Sequence, residues 1–480
     1  MKIPIKNEIG ISRIIAGIIA IAFLVVIFYV SDLPLIILVF LAFLGIHLHY
    51  FRKASAKLFL QLGFLLALTI FTAHAVIEYQ TFSALYIPVA SVAMLVVLLY
   101  NDLQIAFLMS LMASVFVGLI IGGDLQIVLT FLVGSLAAIY PAKGARTRGK
   151  LIGTGIMVGI VQVACIVMLN PWKDFFLAPD FFSVYAKPLF MSGLISTFVV
   201  IASLKVFEFL FGVLTNFSLS ELSDFNQPLL KRMILEAPGT YHHSLVTSNL
   251  AEAAADAVGA HSLLVRVGAY YHDIGKLVKP EYFTENQMLE GDKHQSLEPH
   301  MSRLVILNHV KEGVDLAQKY HLNGRIVDFI QQHHGDSLIY YFYRKALEGA
   351  MGDEMVDQQN FRYEGPKPQT REVAIVLLAD SVEGAVRSVE EPTPGRIDEV
   401  VRRVVNNKFI DGQLDSCDLT LKDLETISMT FTRVLTAMYH TRVKYPERTN
   451  ENTNNHRKSS EENSHSAYPA NQDHQEDPES

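Results

Sequence analysis

Residues 103–121 read LQIAFLMSLMASVFVGLII, and this run contains no Asp, Glu, Lys or Arg. A bilayer core about 30 Å thick is crossed by a helix of roughly 20 mostly apolar residues, so the run predicts a transmembrane helix. Similar apolar runs lie on both sides of it. The sequence predicts about eight spans, near residues 12–30, 34–50, 58–77, 84–100, 103–121, 125–141, 151–169 and 188–212.

The basic residues of the short loops predict how this bundle is oriented. The N-terminus and the loops 51–57 and 142–150 are rich in Lys and Arg, whereas the loops between them contain few basic residues. Cytoplasmic loops carry an excess of Lys and Arg. Residues 1–213 are therefore expected to form a multi-pass bundle in the lipid bilayer, with the N-terminus and all residues after 213 in the cytoplasm.

The second half of the chain has a different composition. Residues 1–213 carry 13 Lys or Arg and 8 Asp or Glu, whereas the remainder carries 27 and 40. Apolar residues recur there at helical spacing, which predicts a connector helix over 214–239 and an all-helical domain over 240–445. Residues 446–480 have almost no apolar content and are expected to form a disordered polar tail. The predicted fold class is all-α, a polytopic helix bundle followed by a cytoplasmic helical domain.

Charge and cysteine content exclude some function classes. The formal net charge is −8 and no basic run is present, which argues against a nucleic-acid polymer as partner. The chain has only 2 cysteines, so it cannot supply a thiolate cluster for a metal.

Histidines and aspartates of the helical domain form a pattern that packing alone does not explain. Asp380 lies in an otherwise apolar helix, and a buried carboxylate is costly unless it is paired or bound to metal. His272–Asp273 and His333–His334 are adjacent pairs at predicted helix ends. The candidate ligands are His243, His272, Asp273, His309, His333, His334 and Asp380.

The ligand types point to a class of metal. Neutral nitrogen from His and anionic oxygen from Asp, without Cys, suit Fe, Mn, Co or Zn. One carboxylate can bridge two ions, and two ions about 3.5–4 Å apart can activate water and stabilise a phosphoryl group under attack. The sequence therefore predicts a hydrolytic site with two divalent metal ions.

The motifs resemble those of a known family. His243, His272–Asp273 and Asp380 match the H…HD…D signature of the HD phosphohydrolase superfamily, and the additional histidines match its bimetal subclass. The segment Glu236–Ser244, followed by His272–Lys276 and His333–Gly335, is similar to the seven-transmembrane-receptor HD family. Characterised members of that family are bacterial membrane enzymes that hydrolyse cyclic di-AMP.

The resemblance implies roles for individual residues. One ion would be held by His243, His272, Asp273 and Asp380, and a second by Asp273, His309, His333 and His334, with Fe or Mn as the expected metals. His242 is an alternative to His243, although the family pattern favours His243. Lys276 would face the phosphate or assist the leaving oxygen, and Arg387 would contact a substrate phosphate. The implied reaction is hydrolysis of a cyclic dinucleotide, cyclic di-AMP, to linear pApA.

The sequence departs from the family pattern in one respect, and two alternative functions stay open. Members usually carry a large extracytoplasmic domain after the first span, but only Ser31–Leu33 separates the first two predicted spans. Two alternatives are a membrane receptor that binds a nucleotide without turnover and an enzyme for another cyclic dinucleotide or nucleotide. The expected location is the bacterial inner membrane, and a homodimer is compatible with the sequence.

Overall fold

The structure is a computed structural model that describes residue 45 and residues 56–79, 82–170, 180–287, 293–349 and 356–439. Within these ranges every regular element is a helix, and one isolated antiparallel bridge joins Leu338 to Arg362. The all-α prediction is confirmed.

The first part of the described chain is a bundle of apolar helices. Five of them are long and apolar enough to cross a membrane, and the apolar segment Ala84–Tyr100 is shorter. The helices are α1 (Ala56–Glu78), α2 (Ala90–Tyr100), α3 (Leu103–Ile121), α4 (Leu125–Lys143), α5 (Arg148–Leu169) and α6 (Lys187–Phe211), with a 3₁₀ turn at Ala84–Tyr86 and a π turn at Phe182–Ala186.

Six of the predicted spans correspond to these elements, but the prediction of one continuous helix over 84–100 is wrong. Pro88 separates the 3₁₀ turn from α2. The residue before a proline is driven away from helical dihedrals, and Ile87 accordingly has φ −58° and ψ 126°. The spans expected at 12–30 and 34–50 lie outside the described residues except for Gly45, so the count of eight stays a prediction.

Small residues let α5 and α6 pack backbone against backbone. Gly155 and Gly159 on α5 face Gly193 on α6. A Cβ on Gly193 would collide with the Gly155 carbonyl oxygen, and one on Gly159 would lie 2.6 Å from Phe190 O. Close approach at small residues is a common means of helix association in membranes.

The prediction of a single connector helix over 214–239 is also wrong. Two shorter helices are found, α7 (Asn216–Leu222) and α8 (Pro228–Glu236). Asp224 Oδ1 accepts a hydrogen bond from the backbone N–H of Asn226 at 2.9 Å, which stabilises a turn. Pro228 then starts α8, because its missing N–H is tolerated only in the first turn of a helix.

The remaining helices form the second part. They are α9 (Pro238–Ala257), α10 (Ser262–Tyr271), α11 (Pro299–Lys319), α12 (Gly324–Gln332), α13 (Tyr340–Gly349), α14 (Arg371–Arg387), α15 (Pro394–Ile410) and α16 (Leu421–Met438), with 3₁₀ turns at Ile274–Val278, Pro280–Tyr282, Thr284–Asn286, Lys293–Ser296 and Gln358–Phe361. The boundary expected at 240 falls two residues inside α9. The tail predicted for 446–480 lies outside the described residues.

Helix α14 is the centre of this part. Every residue from Val373 to Ala379 is buried, as expected for a helix that is covered on all sides. α9 and α10 pack against it and against each other. This arrangement brings the C-terminal end of α10 beside the middle of α14, where Asp380 lies.

Candidate metal centre

All of the candidate ligands predicted from the sequence converge in one place. Two groups of side chains could each hold an ion, with their donor atoms within 4.8 Å of one another: His243, His272, Asp273 and Asp380, and Asp273, His309, His333 and His334. Five separate segments supply them. His243 lies on α9, His272–Asp273 follow α10, His309 lies on α11, His333–His334 follow α12, and Asp380 lies on α14.

Asp273 is common to both groups and lies between them. Its Oδ2 is 3.3 Å from His272 Nε2 and 3.6 Å from His243 Nε2. Its Oδ1 is 3.4 Å from His309 Nε2 and 3.5 Å from His333 Nε2. One carboxylate thus presents one oxygen to each group, as a bridging ligand must.

Asp380 completes the group around His243 and also approaches His334. Its Oδ1 is 2.9 Å from His243 Nε2 and 3.8 Å from His272 Nε2. Its Oδ2 is 3.7 Å from His334 Nδ1. The neighbouring His242 is exposed, which leaves His243 as the histidine of this segment that belongs to the cluster.

Hydrogen bonds on the far side of the rings fix their orientation. His272 Nδ1 donates to Ala269 O at 2.6 Å, His309 Nδ1 to Ile306 O at 2.5 Å, and His333 Nδ1 to Ile330 O at 2.9 Å. Because a carbonyl oxygen can only accept, each Nδ1 carries a proton, and each Nε2 is directed toward Asp273. Metal-binding histidines are usually held this way by a second set of groups.

His243 is held by a glutamate that the sequence prediction missed. Its Nδ1 donates to Glu383 Oε2 at 2.5 Å, and Glu383 is buried. Glu383 lies one turn after Asp380 on α14, and residues three apart share a helix face. That spacing is a signal that could have indicated it from sequence.

Arg387 lies next to Glu383 and outside the ligand cluster. Its Nη1 is 3.3 Å from Glu383 Oε1, and its side chain is 43% exposed. The structure therefore places the guanidinium beside the carboxylate that holds His243. Contact of Arg387 with a substrate phosphate stays a prediction.

Lys276 is directed at the cluster rather than at solvent. Its Nζ is 2.7 Å from Asp273 Oδ2 and 2.8 Å from Glu285 Oε1. Glu285 lies in a 3₁₀ turn nine residues later and was also missed, because its approach depends on how residues 279–286 fold back. Burial alone would lower the pKa of Lys276, but Asp273 and Glu285 raise it above its usual range.

Gly275 allows the HD segment to lie against α11. A Cβ at this position would collide with the carbonyl oxygen of His309. The glycine of the His272–Lys276 motif thereby brings the backbone of His309 beside Asp273, and a larger residue would push the two candidate ligands apart.

The electrostatics of the cluster favour bound cations. Burial alone would lower the pKa of His272, but the Asp273 and Asp380 carboxylates raise it to about 10. Burial would raise the pKa of Asp273, but Lys276 and His272 hold it well below its usual range. His272 Nε2 and Asp273 Oδ1 are buried without a hydrogen-bond partner. Unpartnered buried polar atoms are costly, and a cation in each of the two groups would satisfy one of them.

A cavity of about 390 Å³ opens beside the cluster. His309, His334 and Lys276 line one side of it, and Tyr341, Phe342 and Tyr363 provide aromatic surface. Tyr363 stacks on His334 with ring centroids 4.2 Å apart. Candidate metal ligands, the Lys276 ammonium and aromatic rings therefore line the same cavity.

The helical fold and the His/Asp cluster define an HD-domain protein of the membrane. Residues 240–385 match the model of the HD domain, and residues 14–215 match the model described as "7TM receptor with intracellular HD hydrolase". The chain belongs to this family, and it is a multi-pass membrane protein.

Two curated relatives are similar over most of the chain. The cyclic-di-AMP phosphodiesterase PgpH of Bacillus subtilis (strain 168) is 36% identical over 437 residues, which is 88% of this chain and 60% of the relative. That of Listeria monocytogenes serotype 1/2a (strain 10403S) is 37% identical over 366 residues, covering 76% of this chain and 50% of the relative. The chain thus spans about 50–60% of the length of these relatives.

A solved structure resembles the second part of the chain. The protein in the crystal structure of the L. monocytogenes PgpH HD domain in complex with cyclic di-AMP has 46% sequence identity to this chain over the matched residues. The match covers 45% of this chain and all of that chain, with a TM-score of 0.44.

Proposed function

We propose that this chain is a membrane-anchored phosphodiesterase that hydrolyses cyclic di-AMP to linear pApA at an HD site with two divalent metal ions. The observation that carries the proposal is Asp273, whose two carboxylate oxygens face two separate groups of His and Asp. The names of the curated relatives support the choice of cyclic di-AMP as substrate.

The proposed ligand sets share one residue. His243, His272, Asp273 and Asp380 would hold one ion, and Asp273, His309, His333 and His334 the other. Fe or Mn fits these nitrogen and oxygen donors. When bound, such a pair lowers the pKa of water and neutralises the charge that develops on a phosphoryl group.

The protein's own residues would position the substrate. The Lys276 ammonium lines the cavity and is fixed by two carboxylates, so it can face a phosphoryl oxygen without reorganising. The cavity lining includes Tyr341, Phe342 and Tyr363, which offer surfaces on which a purine ring can stack. Glu383 keeps the Nδ1 proton on His243 and so holds its Nε2 toward the site.

The location of the enzyme is part of the same proposal. The basic loops support an N-terminus and an HD domain in the cytoplasm, with the bundle in the bacterial inner membrane. A homodimer stays a prediction.

The test is turnover of cyclic di-AMP by the full chain in detergent, loaded with Mn(II), or with Fe(II) without oxygen. We expect pApA to accumulate and chelator to stop the reaction. Cyclic di-GMP in a parallel reaction should be hydrolysed more slowly. Binding of cyclic di-AMP without any product, from protein shown to carry two metals per chain, would favour the non-catalytic receptor instead.

A further inference from the structure

A second cavity, of about 340 Å³, lies between the membrane bundle and the HD domain. The bundle contributes the end of α2 with Asn101, and Lys143 in the last turn of α4. The HD domain contributes His261 and Arg325, and residues 212–216 between the two parts form another wall. Nothing in the proposed reaction uses this cavity.

The polar lining of this junction cavity is positively charged. Lys143 and Arg325 line it, and no Asp or Glu does so among the described residues. Neither cation forms an ion pair within the part of the chain that the structure describes. Lys57 lies nearby, with its Nζ 3.7 Å from where a Cβ on the lining residue Gly212 would lie.

His261 supplies a neutral donor to the same cavity. Its Nδ1 accepts a hydrogen bond from the backbone N–H of Leu264 at 3.1 Å, so the ring proton lies on Nε2. The Glu372 carboxylate contacts the backbone of His261, where its Oε1 accepts from the His261 N–H at 3.1 Å. Among the described residues no hydrogen bond from His261 Nε2 is found, so this N–H is available as a donor.

Arg325 lies at the positive end of a helix, where its only electrostatic partner on that helix among the described residues is Asp328 one turn later. It lies in the first turn of α12, where Asn323 caps the helix through Arg325 N at 3.0 Å. A cation near a helix N-terminus is unfavourable because the helix dipole is positive at that end. An anion in the cavity would offset both the charge of Arg325 and the positive end of the helix dipole.

We propose that this junction cavity binds the phosphate group of an anionic phospholipid at the cytoplasmic surface of the membrane. The cations and the His261 donor fit a phosphate, and basic pockets beside membrane helices are typical sites for such headgroups. Val97 and Leu98, buried at the C-terminal end of α2, add apolar surface to the lining, and the cavity lies where the ends of α2, α4 and α6 meet the HD domain, which favours a lipid over a free ion.

The occupied cavity would be connected to the metal centre by two helices. His261 is the N-cap of α10, which ends directly before His272–Asp273. Arg325 lies at the start of α12, which ends directly before His333–His334. The two helices also pack against each other. A phosphate that orders their first turns would therefore order the segments that carry four candidate ligands.

Native mass spectrometry of the full chain, released from detergent with phosphatidylglycerol or phosphatidylcholine, tests the binding. We expect wild-type protein to retain phosphatidylglycerol preferentially, and the Lys143→Gln, Arg325→Gln double variant to lose about tenfold or more of that preference. Arg148→Gln is the matched control, since it removes an exposed charge from the same cytoplasmic loop. Equal retention by the double variant and the control would overturn the proposal.

Competition with inorganic phosphate distinguishes a bound phospholipid headgroup from a bound free phosphate ion. At millimolar phosphate, retention of phosphatidylglycerol should be unchanged, and its displacement would assign the cavity to a free anion rather than a lipid.

Hydrogen exchange tests the connection between the cavity and the candidate metal centre. Phosphatidylglycerol should slow exchange in residues 262–271 and 324–332 of wild-type protein only. Unchanged exchange with bound lipid would reject the connection. Neither measurement depends on phosphodiesterase turnover.

Discussion

Asp273 is the residue on which both candidate ion sites depend. Its carboxylate oxygens lie 3.3–3.6 Å from four histidine nitrogens. We expect Asp273→Ala to abolish turnover and binding of the metal pair, measured by elemental analysis of the full chain. Asp256→Asn, an exposed position on α9, is the control. Two metals per chain in the Asp273 variant would contradict the shared-ligand assignment.

Glu383 tests whether the group behind His243 matters. Replacing it with Gln removes the negative charge that holds the Nδ1 proton of His243. The loss of such an outer partner typically weakens metal binding 10–100-fold, so Glu383→Gln should need correspondingly more Mn(II) for half-maximal activity. The exposed Glu390→Gln should titrate like wild type. An unchanged metal requirement would show that His243 is oriented by packing alone.

The extent to which the site could be predicted differs from residue to residue. The seven candidate ligands could be found from sequence because His and Asp are conspicuous at helix ends and in apolar surroundings. Glu383 could have been found from its i, i+3 spacing to Asp380. Glu285 and Tyr363 could not, since a lone Glu or Tyr in a polar loop is unremarkable until the loop folds against the cluster.

At the scale of elements, apolar length predicted the helices well and proline explains the exceptions. Leu103–Ile121 begins and ends where the apolar run does, because Asp102 caps its start and Gly122 follows its end. Pro88 and Pro228 divide segments that hydrophobicity alone would leave continuous. The effect of each proline is local, so these two breaks can be predicted from the sequence.

The contact of α5 and α6 makes a prediction about stability. A Cβ on Gly193 would collide with the backbone of α5, whereas one on Gly153 would meet no atom within 4 Å. Overpacking typically costs about 1–3 kcal/mol. We therefore expect Gly193→Ala to lower the Tm of the detergent-solubilised chain by several degrees, while Gly153→Ala should leave it unchanged or raise it slightly. Equal Tm values for the two variants would mean that α5 and α6 can move apart at this contact without loss of stability.

At the scale of the whole molecule, the two parts meet through short polar connections. Tyr271, the residue before His272, donates from its hydroxyl to Leu222 O at the end of α7, 2.9 Å away. At the other end of α7, Glu208 of α6 accepts hydrogen bonds from Thr215 and Ser218. Helix α6 is thereby joined to the candidate metal centre by one seven-residue helix, a connection that sequence periodicity could not indicate.

The orientation of the bundle is a whole-molecule property that can be measured directly. Leu125 begins α4 and is 67% exposed, while Thr147 is exposed just before α5 and makes no capping hydrogen bond. These positions lie at opposite ends of the α4–α5 hairpin. If the basic loop 142–150 is cytoplasmic, Leu125→Cys should react with a membrane-impermeant maleimide in intact cells. Thr147→Cys should react only after permeabilisation. A Cys417→Ser chain supplies the background, because Cys165 is buried whereas Cys417 is free and half-buried. The reverse labelling pattern would place the HD domain outside the cell, away from a cytoplasmic nucleotide.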